Sequence, residues 1–590
     1  MHQRNWPYRG CTKKKVATPV FENNLDVPKA GVLLCVPALL SNGLLTHNNV
    51  FDFDSGYYSL SSIFLTLSFC SLLRIKSIEK ISDEPPGELG KLIGLDRIPE
   101  IKTLRNKIAE LGQQDQGKLW IGELSRQWMQ MYPDLAGVMY IDGHTDVYYG
   151  KANKLPRHYV SRMRLAMRAS ADYWVCDKLG QPFFSINKSI SGSMIDVIKQ
   201  DIIPVLENDI PNQPNQAALN NDPHLHKFMM VYDREGYSPD FMIDMWEKRV
   251  ACCTYNKYTQ DPWPKTEFAQ YEIETPNGEK EIVQLAERAV LLEGNETENL
   301  PVAMQVIEVE QTGQVIQVKT TNKRTKKKKQ IWVREIRKLR NDGNQTSIIT
   351  TNYKLDLVLI GMYMFARWCQ ENFFKYMVHN FSLDMIISNF FTDISDTEQM
   401  VNPVYRELEK KIRALNTKLK HRQSKLGALH YDNEINSKEF NGLTEKKSKL
   451  QEGIAIYRCQ LEEHKAMRQN TPPKINYADL PEEEKFKGVY NQRKQVVDTI
   501  KLIAGRSEIA LATIIKKHMS KPEEARALME QFYKTSADIK VDNQNKIIQI
   551  KLHHQATRHE DMILSQLCQY LNETETIFPG TDFMLQYCQV

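Results

Sequence analysis

Residues Val138 to Gly150 read VMYIDGHTDVYYG, and the first carboxylate in that run decides how the rest of the chain is read. Side chains alternate along a strand, so Val138, Tyr140 and Asp142 share one face. A charge on an otherwise apolar face needs a partner. Two explanations compete. Asp142-Gly143 is a two-residue hairpin signal, because glycine takes positive φ freely and aspartate tolerates it. Alternatively the carboxylate is a ligand, which requires further carboxylates in matching settings elsewhere in the chain.

Composition sets the bounds. A chain of 590 residues exceeds one core and predicts several domains. Lys and Arg number 78 against 73 Asp and Glu, a net charge of +5 too small to imply nucleic acid without local clustering. Ten Cys without a CxxC pair fit reduced thiols rather than a disulfide frame or a zinc site. The opening MHQRNWPYRGCTKKK is polar and lacks the apolar segment of a secretory signal. The uncharged stretches Gly31 to Phe51 and Tyr57 to Leu73 are broken by Pro37, Asn42, His47 and several Ser, and they read as buried helices, so no membrane contact is expected.

Working outward towards the N-terminus, residues 1–27 carry Lys13-Lys14-Lys15 and little periodic apolar content, which predicts a flexible basic tail. Residues 28–120 read as a helical DNA-binding domain. In it, Glu88 to Leu95 and Glu100 to Leu111 make two helices about a break at Gly94 to Pro99, with Ile101, Leu104, Ile108 and Leu111 on one face. Lys102, Arg105 and Lys107 lie on the other, as in a helix-turn-helix whose second helix meets DNA; an ordinary helical hairpin with a solvated face accounts for the same pattern.

Residues 121–260 read as the first part of an α/β core. After Val138 to Gly150 comes a second hairpin, Tyr173 to Cys176 and Pro182 to Ile186 around Asp177 to Gly180. Then KFMMVY, Lys227 to Tyr232, predicts a buried strand with Asp233 at its carboxyl end, where open α/β sheets bind ligands. Ser238-Pro239 is the better start for the following helix, so Asp233 is free of capping duty. Val250 to Tyr255 is the next strand. Residues 261–350 turn to alternating runs and predict a β-rich insertion, which also carries the densest basic run, including Lys326, Lys327 and Lys328 as candidate phosphate contacts.

Residues 351–400 return to the core with a long helix, Leu355 to Phe381, on which Arg367, Glu371 and Lys375 share a stripe. That stripe is either a salt-bridge ladder or a metal ligand flanked by phosphate contacts. Residues 401–470 show heptad spacing in two runs and predict an antiparallel helical hairpin. Residues 471–590 predict a helical domain with one β hairpin and no catalytic constellation.

Asp142, Asp233 and Glu371 come from three separate elements, and only a fold could gather them. Hard oxygen donors suit a pair of Mg²⁺ or Mn²⁺ ions, which, roughly 3.5–4 Å apart, activate an attacking oxygen and stabilise a leaving one in phosphodiester chemistry.

The segments GLDRIPEIKTLRNKIAEL, YIDGHTDVYYGKANKLPRHYVSR, DYWVCDKLGQPFF, YDREGYSPDF and RWCQENFFKY resemble bacterial insertion-sequence transposases of the DDE superfamily, over about residues 35–400, and the tail with NETETIFPGT is similar too. The resemblance implies an α/β multidomain chain with an RNase H-like core interrupted by a β-rich insertion. It makes Asp142, Asp233 and Glu371 the catalytic and metal-binding triad and places Arg367 and Lys375 beside DNA. It further implies two Mg²⁺ or Mn²⁺ ions, double-stranded DNA (terminal repeats and target) as partner, a homodimer or higher synaptic complex, and a cytoplasmic, nucleoid-associated protein. Of the Tyr-Arg-Glu-Lys series common in such enzymes, Arg367 and Glu371 keep their spacing, while Met364 and Val378 stand at the Tyr and Lys positions. A catalytically silent repressor derived from a transposase and an RNase H-like nuclease are the alternatives.

Overall fold

The computed structural model describes residues 16–46, 50–52, 56–150, 155–160, 163–188, 193–259, 261–274, 280–297, 327–383, 391–428, 437–489 and 491–590, without the side chains of 159, 274, 295–297, 327, 365–373, 391–392, 437–441, 443 and 489. These residues divide between two compact units: one within Met1–Tyr148, His158–Asn389 and Tyr490–Val590, the other within Tyr149–Arg157 and Phe390–Val489.

In the first unit, a short strand β1 (Asn24–Val27) precedes helices α1 (Val36–Ser41), α2 (Leu60–Leu72), α3 (Pro86–Lys91), α4 (Ile101–Gln113) and α5 (Gly117–Met131). Buried helices occupy part of each uncharged stretch: a short 3-10 turn and α1 in the first, and α2 in the second. In α2 the buried Thr66 and Ser71 hydroxyls donate back to the Ser62 and Leu67 carbonyls at 2.7 and 2.8 Å. No helix among the described residues is long and apolar enough to cross a membrane. α3 and α4 flank a turn with Gly94 at φ +68°, and Leu104, Ile108 and Leu111 face inward.

The core is one ten-stranded mixed sheet. Its strands are β2 (Val138–Val147), β3 (Arg157–Val160), β4 (Leu165–Cys176), β5 (Pro182–Lys188), β6 (Phe228–Tyr232), β7 (Val250–Tyr255), β8 (Ala269–Glu274), β9 (Lys280–Thr297), β10 (Lys327–Leu339) and β11 (Gln345–Thr350). Short helices α6 (Met194–Val197), α7 (Ile203–Asp209) and α8 (Gln216–Asn221) lie between β5 and β6, and α9 (Pro239–Glu247) joins β6 to β7. The order is β3-β4-β2-β6-β7-β11-β10-β9-β8, with β5 on β4. β6 is buried at every residue and parallel to both β2 and β7, the pattern of a strand covered on both faces. α9 starts as predicted, with the Ser238 hydroxyl accepting from the Phe241 N–H at 3.3 Å. The strands of the 261–350 region are antiparallel, and they extend the core sheet itself, since β11 pairs with β7. The alternating runs at Met304 to Glu310 and Gln314 to Thr320 lie outside the described residues.

Helix α10 (Leu357–Phe381) follows, capped by the Asp356 carboxylate on the Val358 N–H at 2.7 Å. The second unit holds β12 (Phe391–Thr392), β13 (Gln399–Val401), α11 (Pro403–Gly427), α12 (Ser437–Gln469), β14 (Lys474–Asn476) and β15 (Gly488–Val489). α11 and α12 form the expected antiparallel hairpin, with Leu408, Ile412, Ile454 and Leu461 buried in the seam.

The first unit resumes with α13 (Gln492–Lys516), α14 (Ala525–Lys534), β16 (Ala537–Asp542), β17 (Ile547–Leu552), α15 (Arg558–Asn572) and β18 (Met584–Gln589). The predicted hairpin β16-β17 is present, but it sits inside a four-stranded sheet, β1-β16-β17-β18. This corrects two expectations. Residues 24–27 are not tail: Asn24 and Val27 pair with Ile539 and Ala537, partners too distant in sequence for local periodicity to reveal. After α15 the chain returns as β18, parallel to β17.

Candidate active site

Asp142 lies inside a continuous strand, not in a turn. β4 pairs antiparallel with β2 from Tyr140 to Val147, and this ladder carries the strand straight through Asp142-Gly143. Gly143 does not serve a positive φ, and a Cβ there would sit tightly, 3.3 Å from Cε1 of Tyr173, its cross-strand partner. The Gly143 N–H donates to Asp142 Oδ1 at 3.0 Å, and the carboxylate is half-buried.

The parallel register of β2 and β6 runs Val138 with Met229 through Ile141 with Tyr232. The next residues are Asp142 and Asp233, and Asp233 is still extended, at φ −76° and ψ 171°. Two carboxylates thus follow the same paired position on neighbouring strands, which are spaced by about 4.8 Å, and alternation directs both to one face. The backbone of Asp233 is tied to β7, because Thr254 Oγ1 donates to its carbonyl at 3.2 Å.

α10 crosses that same face. The Tyr140 hydroxyl donates to the Tyr363 carbonyl at 2.7 Å, and Phe374 meets Trp174 with ring centroids 5.5 Å apart. Trp174 is the cross-strand partner of Asp142. Position 371 precedes Phe374 by three residues, so the two share a helical face. The side chains of Glu371 and Arg367 lie outside those described. Lys375 is exposed.

Asp142 and Asp233 offer hard oxygen donors from adjacent strands, a donor set that fits Mg²⁺ or Mn²⁺ and not a soft metal. Among the described residues no group of three or more His, Cys, Asp or Glu side chains is placed to hold a metal ion.

A second polar cluster lies farther along β2, and sequence reading missed it. Lys494 Nζ, on α13, reaches Asp172 Oδ2 and Asp498 Oδ2 at 2.6 Å and Asp146 Oδ2 at 3.2 Å, all essentially without solvent access. It also donates to the Leu383 carbonyl at 3.3 Å, just beyond the end of α10, while Lys501 Nζ donates to the Ser382 carbonyl at 2.7 Å. One side chain therefore joins the strand of Asp142 to the end of α10. Burial, then the Asp172 charge, push the Asp146 carboxyl well above the usual range, so it keeps its proton. Burial, the largest single influence, acts in the same sense on Asp172, but the Lys494 charge together with hydrogen bonds from Asp146, from Asn187 at 2.7 Å and from Lys494 holds its carboxyl below the usual range. Two signals were present in the sequence. Asp142, His144 and Asp146 alternate onto one face, and Lys494 and Asp498 stand four apart on a helix flanked by Val496, Val497 and Ile500.

The candidate DNA contacts are scattered. Lys102 is exposed on α4, but Arg105 pairs with Glu79 at 2.7 Å and Lys107 with Glu110 at 2.8 Å. Lys326 and the Lys327 side chain lie outside those described, and Lys328 pairs with Glu293 at 2.9 Å.

The strands and helix thus bring Asp142 and Asp233 together with the backbone of α10 across one sheet face. A comparison with curated proteins returns no match. A family model described as "Transposase protein" matches residues 10–300 and 302–590, nearly the whole chain. With both carboxylate strands, α10 and the C-terminal region inside the matched stretches, the chain belongs to this transposase family.

Proposed function

We propose that the protein is a DDE-type transposase of the bacterial insertion-sequence kind, which cleaves and joins phosphodiester bonds at element ends through Asp142, Asp233 and Glu371. The observation that carries this reading is the parallel register that leads from Ile141 and Tyr232 into two adjacent carboxylates beneath α10. The sheet order, in which an antiparallel pair joins β2 and parallel strands β6 and β7 continue from it, supports an RNase H-like core.

Asp142, Asp233 and Glu371 would hold two Mg²⁺ or Mn²⁺ ions, which when bound supply activation of a water or 3′ hydroxyl and neutralise charge on the leaving oxygen. The chain's own residues do the positioning. The β2–β4 ladder holds Asp142, Asp233 follows directly on the end of β6 with its carbonyl tied to Thr254, and the Tyr140 hydroxyl sets α10 over them. Lys375, exposed one turn past Glu371, supplies a cation for a DNA phosphate. Terminal repeats and target DNA are the substrates, and a dimer or larger synaptic complex would hold two ends together.

Incubating the purified chain with duplexes bearing the element's terminal repeats and Mg²⁺, then resolving nicked and joined strands, tests the reading. Wild type nicks and joins, and Asp142→Ala does neither while still binding. Equal activity of the two would overturn the assignment. A chain that binds salt-sensitively and never cuts would favour the repressor.

A further inference from the structure

The helical hairpin of the second unit is more basic than the chain as a whole. α11 holds eight Lys and Arg against two Glu, and α12 seven against five, while the entire chain has a net charge of only +5. Several cations of α11 are engaged within the unit. Arg406 pairs with Glu484 at 3.0 Å, Arg413 with Glu409 at 3.4 Å and Lys410 with Glu407 at 3.8 Å. The Arg422 guanidinium stands 4.8 Å from the Tyr457 ring centroid and lies against Gly453, where a Cβ would collide with it. Lys411, Lys418, Lys420 and Lys425 are exposed, and among the described residues no carboxylate pairs with them.

Three of these four form a row. Lys411, Lys418 and Lys425 recur every seven residues, which returns a helix to within about 20° of its starting direction. The row flanks the seam made by Leu408 and Ile412, with ammonium groups on the order of 10 Å apart along the axis. Duplex DNA presents one phosphate charge per about 1.7 Å of axis, so a rigid row of this length faces several phosphates wherever it lies on the backbone.

We infer that the Lys411, Lys418 and Lys425 stripe of α11 binds the phosphate backbone of double-stranded DNA without regard to sequence. The inference rests on DNA being the protein's substrate, but it concerns grip on the backbone and not the catalytic carboxylates. The hairpin is thereby a DNA-holding arm.

The experiment uses the full chain without divalent ions and a duplex of arbitrary sequence, with affinity read by fluorescence anisotropy across a salt series. Each lost phosphate contact lowers the slope of log affinity against log salt by about 0.9, so the triple variant Lys411→Gln, Lys418→Gln, Lys425→Gln has a slope shallower by about 2–3. Lys→Arg at the same three positions keeps the wild-type slope. A control triple of acid-paired surface lysines, Lys80→Gln, Lys521→Gln and Lys534→Gln, loses the same charge and also keeps it. An unchanged slope in the α11 triple overturns the inference, as does an equal drop in the control. So does loss of self-association, or of binding to polyglutamate, at unchanged DNA slope, which would assign the stripe to a second copy or to an acidic protein. Because no cleavage is measured, the slope of the α11 triple is read independently of whether the catalytic reading holds.

Discussion

The Tyr140 hydroxyl donates to the Tyr363 carbonyl at 2.7 Å, and this bond fixes α10 against the strand that carries Asp142 two residues later. Tyr140 is fully buried, so its hydroxyl has no water to turn to. Tyr140→Phe keeps the ring and removes the hydroxyl that makes this bond. Stability falls by about 0.5–1.5 kcal/mol, seen as a lower urea midpoint at unchanged slope. Strand joining falls with it while duplex binding holds; unchanged joining would mean that the bond does not position α10 for catalysis.

Lys494→Met leaves the ionised Asp172 carboxylate buried without its cation and releases the Leu383 carbonyl. Removing one member of a buried ion pair costs about 3–5 kcal/mol. Calorimetry reads this as a large drop in Tm, far beyond that from removing an exposed pair such as Lys80 with Asp83. Comparable small losses in both variants would remove Lys494 from its place as the tie between β2 and the end of α10.

Asp146 gives the cluster a pH signature. The folded chain holds the Asp146 proton far more tightly than the unfolded chain, in which aspartate titrates near about 3.9. Stability tied to that proton is complete below about pH 3.9, declines as pH rises, and is lost once pH passes the folded value. Asp146→Asn mimics the protonated form and removes this dependence. Between about pH 5 and about pH 8 the wild-type Tm therefore loses more than the variant's, and parallel pH curves would show that Asp146 is ionised in the fold.

Gly31 tests the link between the N-terminal and C-terminal parts of the first unit. Its N–H donates to the Thr535 carbonyl at 2.9 Å, and a Cβ would fall 1.8 Å from the Phe532 carbonyl oxygen. Backbone cannot yield as a side-chain tip does, so Gly31→Ala costs about 1–3 kcal/mol in chemical denaturation. A stability equal to wild type would mean that the N-terminal segment does not seat on α14.

Local signals in the sequence account for much of this fold. The buried helices before residue 73, the Ser238 cap, KFMMVY and the 401–470 hairpin follow from periodicity and capping within a few residues of each other. What escaped depends on partners far along the chain. Asp142-Gly143 has the chemistry of a turn, and only the β4 ladder, set by residues 169–176, keeps it extended. β1 needs β16 more than five hundred residues away. Lys494 looks like an exposed helix charge until Asp146 and Asp172 are brought to it. Asp142 and Asp233 were legible as carboxylates on separate strands, but their adjacency follows from the parallel pairing of β2 with β6.

Changing the donor atom at Asp233 tests whether this carboxylate is a metal ligand in phosphodiester cleavage. Thiolate sulfur is a poor ligand for Mg²⁺ and a better one for Mn²⁺. In nicking of terminal-repeat duplexes, Asp233→Cys is predicted to lose about a hundredfold or more of its Mg²⁺-supported rate and to regain much of it in Mn²⁺, at wild-type DNA affinity. An Asp233→Cys protein that nicks as fast as wild type in Mg²⁺, or nicking by wild type that persists in EDTA, would contradict the account.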